Sequence, residues 1–151
     1  MDEWDLRFLR LARETSTWSK DPSTKVGAVA VSRERVVLSS GWNGFPRGFD
    51  DTPGRLNDRP TKYKYIVHAE ENCLLNAARV GAALRGSTMY VVGLPVCCSC
   101  ARGVVQAGIE RVVAAYAMPL ADRWCESCGD AKTLFEECRV SVEDVDAAAL
   151  G

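Results

Sequence analysis

An α/β fold, a mixed central sheet of about five strands with helices on both faces, is what this sequence predicts. Three observations carry it. The second half alternates apolar, strand-length runs with helix-period segments, the pattern of a sheet with parallel pairing. The first half holds two strand-like runs separated by a short polar turn, so an antiparallel hairpin joins the sheet and makes it mixed. The later runs "STMYVVG" and "RVVAAYA" are apolar throughout, so both of their faces need covering.

The elements follow in chain order. Glu3 to Trp18 places Trp4, Phe8, Leu11, Thr15 and Trp18 near helical spacing and reads as an amphipathic helix whose stripe packs on the core. "SKDPSTK" is a turn around Pro22. Val26 to Ser32 and Arg35 to Trp42 read as two strands, with Arg33 and Glu34 as the hairpin connection. Asn43 to about Thr61, rich in Gly, Pro, Asp and Arg, reads as an irregular loop, and a loop this long in a compact domain is usually functional or disordered. His68 to Val80 is a helix with Ala69, Cys73, Leu74 and Ala77 sharing a face. "STMYVVG" is a buried strand, and "CSCARGVVQAGI" is a helix closed by Gly108. "RVVAAYA" is a strand, "DAKTLFEEC" a helix and "RVSVEDV" a last strand, with the acidic tail from Glu143 at the surface or frayed. The 151 residues fit one domain, 1–151.

Composition narrows the class. Hydrophobic residues at 47% and charged residues at 26% are ordinary for a globular protein. A net charge of −1 does not advertise a polyanion partner, so no nucleic acid is expected. No apolar run approaches the ~18 residues of a membrane span, and "MDEWDLRFLRLARE" lacks the basic start and apolar stretch of a signal peptide. The expectation is a cytoplasmic protein without a membrane partner. Seven cysteines, an odd number in a chain without a secretion signal, then point to metal binding or burial instead of a disulfide framework.

The chemistry gathers at two helix starts. The one histidine, His68, begins "HAEENCLLNAA", with Glu70 two residues on; "PVCCSCA" brings Cys97 and Cys100. A lone histidine is most often a surface or satisfied core residue, but Cys-x-x-Cys entering a helix is a good zinc half-site, and the helix N-terminus favours thiolate. With His68 as third ligand, the fourth tetrahedral position stays open, as in catalytic zinc sites. Glu70 then sits beside the ion without occupying it, where a carboxylate can take a proton from water and pass it to a ring nitrogen and a leaving amine. Hydrolytic deamination requires that division of labour.

The H-x-E … P-C-x-x-C signature is a known motif of zinc deaminases, and "HAEENCLLNAA" with "VCCSCARGVVQAGIERVV" resembles the zinc-dependent cytidine and deoxycytidylate deaminase superfamily. "SKDPSTKVGAVAV", "GWNGFPRGFDD" and "TKYKYIVHAE" look like its deoxycytidylate branch, and the likeness covers roughly residues 4 to 140. The resemblance implies a three-layer sandwich. It implies one catalytic Zn2+ per chain held by His68, Cys97 and Cys100, with Glu70 as proton shuttle. It implies dCMP as substrate, giving dUMP and ammonia. There are departures: Val96 separates Pro95 from Cys97, Trp42 stands where the branch has tyrosine, and Cys98 occupies a position where a non-ligand is usual. Cys98 with Cys100 is therefore an alternative ligand pair, of poorer geometry than Cys97 with Cys100. Many members of the branch are oligomers and some respond to dCTP and dTTP, which implies a homo-oligomer and puts those nucleotides forward as effectors.

A 5′-phosphate needs cations; Lys20, Arg47, Arg55, Arg59, Lys62 and Lys64 are the local ones, and Lys20, Arg47 and Lys62 are taken as substrate-binding. Any single arginine here is also readable as a solvated charge. Asn43 suits a sugar hydroxyl, although Asn-Gly is also a strong turn dipeptide. Tyr65 and Trp124 contact the base or close the pocket, and Ala69 offers a backbone group to the pyrimidine edge. Cys125-x-x-Cys128, joined by Cys73 or Cys138, is either a second, structural zinc site or two small apolar residues on a helix; the latter is favoured. Competing functions are deamination of another cytosine-type nucleoside, base or modified nucleotide, and a catalytically silent zinc-binding module, which would not need Glu70.

Overall fold

In the computed structural model, which describes residues 1–151, β1 (Gly27–Val31), β2 (Val37–Trp42), β3 (Thr88–Gly93), β4 (Arg111–Tyr116) and β5 (Ser141–Asp146) form one sheet. The order is β2-β1-β3-β4-β5. β1 pairs antiparallel with β2 and β3, whereas β3–β4 and β4–β5 are parallel. The sheet is therefore mixed for the reason the sequence suggests: a hairpin is added to a strand–helix–strand half.

Side chains alternate across it with period two. Ala28, Ala30, Met89, Val91, Val112 and Ala114 face one core cluster, covered by α4 (Ala69–Val80), α5 (Cys98–Gln106) and α6 (Asp122–Glu137). Val29, Val31, Tyr90, Val92, Val113 and Ala115 face the other, covered by α1 (Glu3–Ser16) through Phe8, Leu9 and Ala12. Helices on both faces bury every residue of β1, which has strands on either side as well.

Two helices are seated by glycines. A Cβ on Gly27 would lie 2.1 Å from the Ala12 carbonyl oxygen of α1. A Cβ on Gly41 would lie 2.3 Å from the Cys73 nitrogen and 2.5 Å from the Ala69 oxygen, so only glycine lets the first turns of α4 lie directly on β2. That contact fixes the helix that carries His68 and Glu70.

Several elements differ from the sequence expectation. The irregular stretch after Asn43 contains two short helices, α2 (Pro53–Asn57) and α3 (Arg59–Tyr65). Pro53 and Pro60 sit in first turns, where no N–H is required of them, behind the caps Thr52 and Asp58. α6 starts eight residues before the predicted Asp130. A mid-helix glycine costs about 1 kcal/mol, and Gly129 is carried because Cys128, Ala131 and Phe135 around it are buried. The tail from Glu143 is ordered: Val113 pairs with Glu143 and Ala115 with Val145, a 3-10 turn (Ala147–Leu150) follows, and Leu150 is 1% exposed.

An ion network locks α1 to this sheet. Asp5, in the α1 capping box, accepts from Arg111 of β4 at 2.7 and 2.9 Å and from the Tyr90 hydroxyl at 2.8 Å. The Arg111 guanidinium holds the Asp5 carboxyl well below the usual carboxylate range, against the effect of burial. A depressed native pKa contributes stability above the unfolded value of about 3.9 that is lost as pH falls through the native one. Asp5→Asn is accordingly expected to destabilise the protein at pH 7 by about 1–3 kcal/mol, with the difference from the wild type shrinking below about pH 4. Urea denaturation across that range checks it.

Candidate active site

The site lies where the starts of α4 and α5 converge, on the three-helix side of the sheet. His68 is the N-cap of α4 and Cys97 the N-cap of α5; neither side chain caps its own helix, so both are free to turn toward one another. The approach to His68 is held by a two-residue bridge in which Gly44 and Val67 exchange backbone bonds of 3.1 and 2.8 Å. Cys97 follows β3 after three residues, at the carboxyl end of the parallel strands, where open α/β sheets place their ligands.

His68 Nδ1 stands 3.5 Å from Cys97 Sγ and 3.4 Å from Cys100 Sγ. All three donor atoms lie within 4.8 Å of one another, and no other such group of three exists in the chain. Zinc–sulfur and zinc–nitrogen bonds at tetrahedral angles put S and N about 3.6 Å apart. The donors present fit that ion in kind, number and spacing, with one tetrahedral position left over. Cys98 is not in the triangle; its backbone N–H donates to Ser127 Oγ at 3.1 Å.

The three donors share protons among themselves. The hydrogen bond from Cys100, together with His68, pulls the Cys97 thiol down to about 4, and Cys100 correspondingly keeps its proton. His68 is pushed up to about 9, chiefly by its bond to Cys97. Two residues on, Glu70 is 4% exposed in the first turn of α4, and burial pushes its carboxyl up to about 7. A carboxyl poised there can both accept and return a proton near neutrality.

Beside the triangle opens a cavity of about 420 Å³, in the range of small-molecule sites. His68, Ala69, Glu70 and Cys97 form one wall, with Asn43, Lys62 and Trp124 on others. The structure thus brings together eight of the residues singled out from the sequence, these seven and Cys100 of the triangle. It does not bring in Lys20, which pairs with Asp51 at 2.8 Å; Arg47, which donates to Asn76 Oδ1 at 2.8 Å; or Tyr65, which is stacked on Phe49 at 4.9 Å. Each lies outside the cavity lining because a nearer partner engages it.

Asp21, Ser23 and Thr24, read only as a turn, also line the cavity, as do Arg59 and Arg123. Neither arginine has a carboxylate within ion-pair distance or a hydrogen-bond partner in the chain; each guanidinium lies over an aromatic ring, Arg59 on Tyr63 and Arg123 on Trp124. Arg123 was hidden by placing the start of α6 too late. The other cysteine pair does not assemble a site: Cys125 is exposed, and Cys128 is buried with its Sγ 4.0 Å from the Pro95 oxygen.

Comparison with known proteins gives concordant findings. A family model described as the cytidine and deoxycytidylate deaminase zinc-binding region matches residues 2–116. An uncharacterised deaminase of Aliivibrio fischeri is 36% identical over 94% of this chain and 93% of its own length. The deoxycytidylate deaminase of Mus musculus is 40% identical over 74% of this chain and 64% of its own, so the chain spans less than two thirds of that relative. A crystal structure of dCMP deaminase from the cyanophage S-TIM5, in complex with dCMP and dUMP, superposes with a TM-score of 0.75 at 23% identity, covering 96% of this chain and 98% of the other.

Proposed function

The chain belongs to the cytidine and deoxycytidylate deaminase zinc-binding family, and we propose that it catalyses the hydrolytic deamination of dCMP to dUMP and ammonia. One observation carries the proposal. A His–Cys–Cys triangle of zinc dimensions lies against a cavity large enough for a nucleotide, and two of its members, His68 and Cys97, line that cavity together with a buried carboxylate, Glu70. Relatives at 36–40% identity named as deaminases, most of them deoxycytidylate deaminases, support the choice of reaction and substrate.

His68 Nδ1, Cys97 Sγ and Cys100 Sγ would hold zinc. Bound there, the ion would supply Lewis-acid activation of a water near neutral pH. Glu70 is placed to accept a proton from the attacking water and deliver it to ring N3, and then to carry a second proton from the new C4 hydroxyl to the 4-amino group, which leaves as ammonia. Its burial keeps bulk water from competing for the proton. The Ala69 backbone, between ligand and shuttle, is assigned to the pyrimidine edge, and Trp124, which also lines the cavity, to the base.

Asn43 serves the sugar as an acceptor. Its Nδ2 is committed to the Thr24 oxygen at 2.9 Å and Asp21 Oδ2 at 3.4 Å, whereas Oδ1 accepts only the Val26 N–H at 2.8 Å and keeps a lone pair for a hydroxyl. The 5′-phosphate falls to Arg59 and Arg123, the cavity cations without carboxylate partners. Arg59→Ala and Arg123→Ala are each expected to raise KM for dCMP roughly 10- to 100-fold, the worth of a charged hydrogen bond, with little change in kcat. Steady-state kinetics check this.

Cytoplasmic location and a homo-oligomeric state, with dCTP and dTTP as effectors, belong to the same proposal on family resemblance; light scattering with and without the nucleotides tests the assembly. No helix is long and apolar enough to cross a membrane. The activity itself is tested by measuring ammonia released by zinc-loaded protein from dCMP, CMP, deoxycytidine, cytosine and dCTP. Release from dCMP above all others is expected. Release from another of the five reassigns the substrate, and release from none overturns the proposal.

A further inference from the structure

Lys62 looks like a phosphate ligand by its place in the cavity wall, yet its surroundings say otherwise. It is 8% exposed, and its ammonium is spent within the protein, 3.1 Å from Asp21 Oδ1 and 3.3 Å from Ser23 Oγ. Asp21, 4% exposed, is the hub of a buried network. Its Oδ1 also accepts the N–H groups of Ser23 at 2.8 Å and Thr24 at 3.2 Å, and its Oδ2 faces Asn43 Nδ2 at 3.4 Å. Asn43 in turn ties down Thr24 and Val26, and its own carbonyl accepts from Ser19 Oγ at 2.8 Å. Every one of Asp21, Ser23, Thr24, Asn43 and Lys62 lines the cavity.

We propose that Lys62 is a positioning residue: by neutralising Asp21 it fixes the Asp21–Thr24 turn and Asn43 as one rigid wall of the substrate cavity, and it does not contact the substrate's anion. A buried carboxylate without a counter-charge would shed its N–H partners or take up a proton. Either event frees the turn and lets Asn43 swing from its acceptor pose. The anionic end of the substrate meets Arg59 and Arg123 instead. The inference rests on the functional reading above only for the identity of the substrate.

A cycle of Lys62→Met, Asp21→Asn and the double variant tests it. Removing Lys62 alone leaves Asp21 charged and buried; removing both charges restores balance. Lys62→Met is expected to lower the thermal midpoint by about 5–15 °C, and the double variant to recover more than half of that. In the zinc-loaded protein, Lys62→Met is expected to cut kcat/KM for dCMP at least ten-fold, again recovered in the double variant. The ratio of inhibition constants for dUMP and deoxyuridine, which reports on the phosphate alone, should stay within about two-fold of the wild type throughout, less than one lost charged hydrogen bond. If Lys62 held the phosphate, the double variant would remain as impaired as Lys62→Met and that ratio would collapse. A double variant that fails to fold also overturns the inference, because the pair would then do more than neutralise itself. If the wild type releases no ammonia from dCMP, the functional reading falls, while the thermal arm still decides whether Lys62 acts through Asp21.

Discussion

Glu70→Gln is expected to leave the protein folded and zinc-loaded while lowering kcat for dCMP by roughly 10²- to 10⁴-fold, the usual worth of a positioned general acid–base group. Glutamine matches the shape of the side chain in its buried seat and keeps one carbonyl oxygen, but it cannot shuttle a proton. Glu70 is not in the ligand triangle, so zinc content should not change. Its seat is set by the close approach of α4 to Gly41, which the substitution does not touch. Single-turnover kinetics with zinc analysis on the same sample check both halves. Retention of more than a tenth of kcat would place the proton transfer elsewhere, and loss of zinc would make Glu70 part of the metal site.

Cys100→Ala should lose the metal and, with it, all turnover. Two protein ligands would remain, and the loss in zinc affinity should exceed the ~10- to 100-fold that removal of an outer partner costs. Cys98→Ala is the control, because Cys98 lies outside the triangle although Cys98-x-Cys100 is also a thiol pair at the start of α5. It is expected to keep zinc. Wild-type protein should carry one zinc per chain, unchanged by Cys125→Ser with Cys128→Ser; a second equivalent lost on that change would assign a further site to α6. Because zinc binds only the folded chain, chelation should lower the thermal midpoint of the wild type and leave Cys100→Ala unmoved. A Cys98→Ala variant that lost the metal instead would exchange the roles of the two cysteines.

Both variants concern residues that were legible in the sequence. His68, Glu70, Cys97 and Cys100 are rare residue types at motif spacing, and their chemistry singles them out whatever the backbone does. The remaining substrate contacts were less legible for a physical reason. Lysines and arginines are common and interchangeable in a sequence, and only the neighbours tell a free cation from a paired one. Lys20 and Arg47 are drawn away by Asp51 and Asn76, while Arg59 and Arg123 are left facing the cavity.

Local and periodic features are therefore the ones readable along the chain. Strand-length apolar runs bounded by turn residues mark the central strands, because β1, β3 and β4 are buried on both faces. His68 and Cys97 read as helix starts and are N-caps. Other features depend on contacts between segments distant along the chain. Pairing with β4 and cover from α1 order the acidic tail around Val145 and Leu150. Burial of Cys128, Ala131 and Phe135 lets α6 run through Gly129. The meeting of Lys62 with Asp21, forty-one residues apart, engages an ammonium that the sequence leaves open as an anion ligand. Charge and hydrogen-bonding capacity are written in the sequence, but which partner uses them up is settled only when the chain folds.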